Sequence, residues 1–167
     1  MRKKIFIVAV ALQIVILLGM TASSYVIEYV GDVIEIQTEP FHSKHIYQND
    51  MVELNYDIER IRPENWFAAN DIKSNQVIYV LLTPNDNGIY QVKAASDKRM
   101  DTQGEEVVIT GRYMYQDNQS FHRIRLGVNR YYLDSNGEIE TFDDRLTVTI
   151  ALSPWGQKKI IDVEPVE

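Results

Sequence analysis

Three histidines, scattered carboxylates and an arginine-rich stretch are the residues of this 167-residue chain that could do chemistry. His42 and His45 are three apart, a spacing that on a helix sets two rings on one face as metal ligands. Their context, Pro40-Phe-His-Ser-Lys-His45, reads instead as a loop before a strand. No third ligand is nearby, so no metal site is assigned, and His122 falls in a hairpin. Asp50 and Asp57 could divide acid–base work, but a strand would hold them about 20 Å apart on opposite faces. Asp50 reads as a turn residue accepting backbone hydrogen bonds. Asn85-Asp-Asn-Gly88 and Asp134-Ser-Asn-Gly137 have calcium-loop composition without the bidentate acid at EF-hand spacing. Hairpin-turn chemistry accounts for both. The chain has no cysteine, which excludes disulfides, thiol catalysis, iron–sulfur clusters, Cys-type zinc sites and a cysteine-linked lipid anchor. No cofactor is expected.

The strongest chemical feature is basic. From Asn118 to Leu133 there is no acid, yet Arg123, Arg125 and Arg130 all occur. The runs Val107 to Gln116 and Phe121 to Val128 read as a hairpin around Asp117-Asn-Gln-Ser120. Pairing residues whose numbers sum to 237 sets Tyr113 opposite Ile124, Tyr115 opposite His122, Gly111 opposite Leu126 and Ile109 opposite Val128. That register gathers the apolar side chains on one face, which a one-residue slip would undo. It also sets Arg112 opposite Arg125, with Arg123 two positions along on the same face. Opposed like charges destabilise a sheet. Either neighbouring acids neutralise them, or the face of Arg112, Arg123, Arg125 and Arg130 takes an anion, a partner surface or a lipid headgroup.

The elements that must position these residues begin with a different kind of segment. Arg2, Lys3 and Lys4 precede a run with no charged residue from Ile5 through Ile27. About 20 apolar residues span a bilayer core, so residues 1–25 read as a basic cytoplasmic tip and a transmembrane anchor. The positive-inside tendency sends residues 26–167 to the extracytoplasmic side of the cell membrane. A cleaved signal peptide, with Ala22-Ser23-Ser24 as its small-residue site, is the rival reading. The formal charge is -7, and removing the +3 of the basic tip leaves -10 for the remainder. A domain so acidic is a poor partner for nucleic acid or anionic lipid.

Beyond the anchor the apolar period becomes two. Strands are expected from Val26 to Thr38, Met51 to Ile58, Val77 to Thr83, Ile89 to Ala95, and in a last hairpin around Ser153-Pro-Trp-Gly156. In the second of these, Val52, Leu54, Tyr56 and Ile58 share the inward face. In the last hairpin Val148 is set opposite Ile161 and Leu146 opposite Val163. Residues Glu59 to Asn75 read as a loop or one short helical turn carrying Trp66-Phe67, two aromatics that either plug a barrel end or mark a contact surface. The fold class is all-β, an antiparallel sandwich or partly closed barrel built from hairpins, preceded by one transmembrane helix.

Asn49-Asp-Met-Val-Glu-Leu-Asn-Tyr-Asp57 resembles the signature of the GDYXXLXY family of membrane-anchored proteins. Leu126-Gly-Val-Asn-Arg-Tyr-Tyr-Leu133 is similar to a second segment of that family, so Asn49, Asp50, Leu54, Tyr56 and Tyr131 are its motif positions. Asn49 stands where the signature has glycine, and Met51 where it has an aromatic residue. The resemblance implies an N-terminal anchor, an extracytoplasmic β domain, no established activity, and work beside a multi-pass membrane protein. A fainter likeness, to the β fold of type I signal peptidases, lacks their Ser-Met-x-Pro sequence ahead of Asp50. The expected function is thus a non-enzymatic accessory or interaction module. An extracytoplasmic hydrolase on a signal-peptidase-like fold is the alternative.

Overall fold

A computed structural model describes residues 2–40, 46–47, 51–69, 71–132 and 145–166. Asn49 and Asp50, His42 and His45, and the Asp134–Gly137 loop lie outside the described residues. One long helix among the described residues, α1, spans Arg2–Val30. Its side chains from Phe6 to Gly19 are exposed. Among the described residues no helix is long and apolar enough to cross a membrane.

The helix corrects one expectation. A strand was expected to begin at Val26, but residues 26–30 continue α1 and the strand starts at Asp32. Val, Ile and Tyr favour strands only weakly over helix, and a helix nucleated over twenty residues gains a hydrogen bond for every residue it adds.

Eleven strands follow among the described residues. β1 (Asp32–Gln37), β10 (Leu146–Leu152) and β11 (Lys158–Pro165) form one antiparallel sheet in the order β1-β10-β11. β2 (Ile46–Tyr47), β3 (Met51–Glu53) and β9 (Arg130–Tyr132) form a second. The third is five-stranded, ordered β4-β8-β7-β5-β6, from β4 (Arg60–Ile61), β5 (Val77–Pro84), β6 (Tyr90–Ser96), β7 (Val107–Gln116) and β8 (His122–Arg125). Trp66, just after β4, bridges to Ala95 on β6, and the Phe67 N–H donates to the Ala95 carbonyl at 2.8 Å. That contact draws the two edges of the five-stranded sheet together into a nearly closed barrel. One apolar core joins all three sheets, with Ile34 and Ile36, Leu54 and Tyr56, Ile78, Val80 and Leu82, Ile109, Ile124, and Val148 and Ile150. The protein is therefore all-β beyond its helix.

The expected inward face of Val52, Leu54, Tyr56 and Ile58 is buried throughout. The strand itself is shorter than its pattern. β3 stops at Glu53, and Asp57–Glu59 is a 3-10 turn. Tyr56 keeps its inward position because it bridges across to Thr38.

Register is where expectation and structure part. The 237 pairing holds for Arg112 with Arg125 and Tyr113 with Ile124, but a bulge then shifts the pairing. Tyr115 faces Arg123 and Gln116 faces His122, not Tyr115 with His122. An extra residue in one strand lets β7 twist at the mouth of the barrel. The last hairpin has the expected turn, but Val148 meets Val163 and Ile150 meets Ile160, with a shift between Thr149 and Ile150. The turn takes one more residue than expected, Ser153 to Gln157, whose main chains bond at 2.8 Å.

Candidate functional site

The two family-like segments meet in one buried polar knot. Leu54 donates its N–H to the Asn129 carbonyl at 2.7 Å, and the Asn129 amide returns a bond to the Leu54 carbonyl at 2.9 Å. The Tyr56 hydroxyl donates to the Val128 carbonyl at 2.7 Å. Gly127 supplies the positive φ of 83° that turns the chain between Leu126 and Asn129, a conformation costly for other residues. Beneath the turn lies Glu59, only 6% exposed. Its carboxylate accepts from the Leu126 N–H at 2.7 Å and from the Asn129 amide at 3.0 Å.

Burial pushes the Glu59 carboxyl above its ordinary range, while the bonds from Leu126, Asn129 and Tyr56 and the charge of Arg125 pull the other way. Lys158, at the start of β11, reaches across to the barrel sheet and donates to the carbonyls of Thr110 and Leu126, the latter at 2.7 Å. Desolvation lowers its pKa to about 8 although Glu59 lies near enough to raise it. A neutral amine still carries two N–H groups, enough for both carbonyls, so losing the proton leaves these bonds in place. Neither Glu59 nor Lys158 hydrogen-bonds a hydroxyl among the described residues. Their chemistry here is to satisfy buried main-chain groups and tie two sheets together.

Above the knot is an open groove of about 620 Å³ lined by Glu53, Arg125, Val128, Asn129, Arg130 and Tyr131, among others. It gathers Arg125 and Arg130 of the expected arginine face. Arg130 stands opposite Glu53 in the β3–β9 register. Tyr131 packs half-buried against the core, opposite Val52. The structure does not bring all four arginines to one place. Arg112 sits outside the groove and donates to the Asn75 carbonyl at 3.1 Å.

Arg123 lies in a second groove, of about 760 Å³, with Arg60, Arg62 and Arg145. There each guanidinium has a carboxylate. Arg123 pairs with Glu39 and Arg145 with Asp57, both at 2.7 Å, Arg60 with Asp117 at 3.6 Å and Arg62 with Glu64 at 3.8 Å. Arg60 also lies over the Phe121 ring, 3.9 Å from its centroid. The opposed pair Arg60 and Arg123 is thus neutralised from within the chain. Among the described residues no three His, Asp or Glu side chains are grouped as a metal site. Trp66 stacks on His122 with ring centroids 3.9 Å apart and packs half-buried against the core, while its neighbour Phe67 is 66% exposed.

Sequence reasoning missed Glu59, Asn129 and Lys158. A lone acid in a stretch read as a loop looks solvated. The one available signal was its place between Ile58 and Ile61, in a stretch whose apolar residues turn inward.

A family model described as GDYXXLXY protein matches residues 13–163. The chain belongs to the GDYXXLXY family. No curated protein and no solved structure matches it. The family's two resembling segments are thus the pair joined by the knot, so Leu54 and Tyr56 hold the fold, while Arg130 and Tyr131 line its groove.

Proposed function

We propose that this GDYXXLXY protein is a membrane-anchored interaction module. Its β domain stands on the extracytoplasmic face and engages a multi-pass membrane protein. The observation that carries the reading is the helix: its side chains from Phe6 to Gly19 are exposed, so this apolar surface is left uncovered by the β domain. An uncovered apolar stretch of that length calls for a covering. In the sequence it belongs to an uncharged run from Ile5 through Ile27 behind Arg2-Lys3-Lys4, long enough for a bilayer core and oriented by its basic end.

The groove of Arg125, Arg130 and Tyr131 is the surface best suited to the partner. It combines two arginines, an aromatic and the exposed turn at Gly127, and interfaces favour arginine and tyrosine. The full-length protein should be degraded by protease added to intact protoplasts, with its N-terminal residues retained in the membrane. A photo-crosslinker at Arg130 should capture one integral membrane protein, and one at Asn75 should not. A domain protected in protoplasts, or released in mature form from about Tyr25, overturns the reading.

A further inference from the structure

The turn between β10 and β11 sits at the end of the molecule where the helix leaves. β1 begins at Asp32, directly after α1 and Gly31, and Asp32 pairs with Leu152. β10 runs antiparallel to β1, so the chain beyond Leu152 projects back toward the helix, and the backbone of α1 comes close to that of β10. The projecting turn is Ser153-Pro-Trp-Gly-Gln157, without a charged residue. It is firmly built. Gln157 donates its N–H to the Ser153 hydroxyl at 2.7 Å, Gly156 donates to the Ser153 carbonyl at 2.9 Å, and Gly156 holds a φ of 88°. From this frame Trp155 is presented to the outside, 52% exposed, in a chain with only two tryptophans.

We infer that Trp155 inserts into the headgroup layer of the bilayer and fixes the tilt of the β domain above it. The inference rests on the anchor reading of α1. Trp155 lies three residues past Leu152, a reach of up to about 10 Å along a strand direction. The uncharged run of the helix ends at Ile27; the helical rise from Glu28 to Val30 is about 3 Å, and Gly31 and Asp32 add at most about 7 Å of extended chain. The indole therefore comes level with the end of the apolar run, where the interfacial layer is about 5–7 Å thick on each side. Tryptophan is enriched at that depth because its ring is apolar and its N–H finds acceptors there. The other exposed aromatics of the β domain, Phe67 and Tyr115, are not placed this way. Phe67 adjoins Ala95, six residues past Ile89, which bridges in parallel to Glu35, so β6 runs away from the helix as β1 does. Tyr115 lies past Arg112, which pairs with Val77 at the start of β5, beside the end of β6.

The test uses the full chain reconstituted into phosphatidylcholine–phosphatidylglycerol vesicles, with and without bromine on the upper acyl chain. Flotation through a density gradient reads the anchor, and the difference in emission between the wild type and Trp155→Phe reads the contact. The expected result is co-flotation of both proteins. The Trp155 component should be shifted to the blue, quenched by brominated lipid and shielded from aqueous iodide. Co-flotation with no bromine-dependent loss in the Trp155 component overturns the contact and leaves the anchor standing. Shielding from iodide without bromine quenching also overturns it, since protein then covers the turn. Failure to float overturns the anchor reading and this inference with it.

Discussion

Leu54 and Tyr56 show how a family motif can be a folding element. Both are fully buried, and Tyr56 closes a hydrogen bond to the chain more than seventy residues away. Leu54→Ala should lower stability by about 2–5 kcal/mol, the range for a buried leucine, measured by urea unfolding. Tyr56→Phe leaves the Val128 carbonyl without its donor and should cost about 1–3 kcal/mol. Two buried ionisable groups give opposite pH signatures. The raised Glu59 value means that its contribution is full in acid and is lost as pH rises through that value. Lys158 is lowered to about 8 from 10.5, so across that window the unfolded chain binds a proton the folded chain has released. Its contribution therefore grows as pH rises from 8 to 10.5, and is lost as pH falls through 8. Unfolding curves of the wild type against Lys158→Met should diverge over that interval in favour of the wild type. A parallel pair of pH profiles would show that Lys158 titrates alike folded and unfolded.

At the scale of elements, alternation was legible and offset was not. The faces of the Met51–Ile58 segment and of β10 follow from a local period of two, which any stretch of sequence displays by itself. The bulges at Tyr113–Tyr115 and Thr149–Ile150 answer to the curvature of a barrel assembled from distant strands, so no local pattern announces them. The same holds for α1, whose last turn persists through residues suited to a strand because the preceding helix supports them. Arg123 could be placed on a crowded basic face, but Glu39, its partner 84 residues away, could not be named without the fold. Gly111 carries a testable consequence of that close assembly. A Cβ there would stand 2.8 Å from the Ile124 Cδ1 and 3.4 Å from the Arg125 carbonyl oxygen. Gly111→Val should therefore cost about 1–3 kcal/mol through overpacking. A thermal melt of the variant against the wild type decides it.

Across the whole molecule, long-range contacts dominate. β1 finds its partner in β10, so Ile34 lies against Ile150, and Lys158 of β11 binds the carbonyls of β7 and of the turn after β8. Replacing Lys158 with Met would strand two carbonyls between sheets and should cost about 1–3 kcal/mol at pH 7, read as a lowered urea midpoint with unchanged slope. The pairing of β1 with β10 also has a temporal side. A chain made from its N-terminus presents β1 first, with Ile34 and Ile36 bare on one face, and that strand has no mate until residues 146–152 emerge. At about 5–20 residues per second, the gap lasts several seconds. Through that interval a sticky half-strand waits unpaired, so premature arrest of synthesis should yield aggregates rather than shortened but folded molecules.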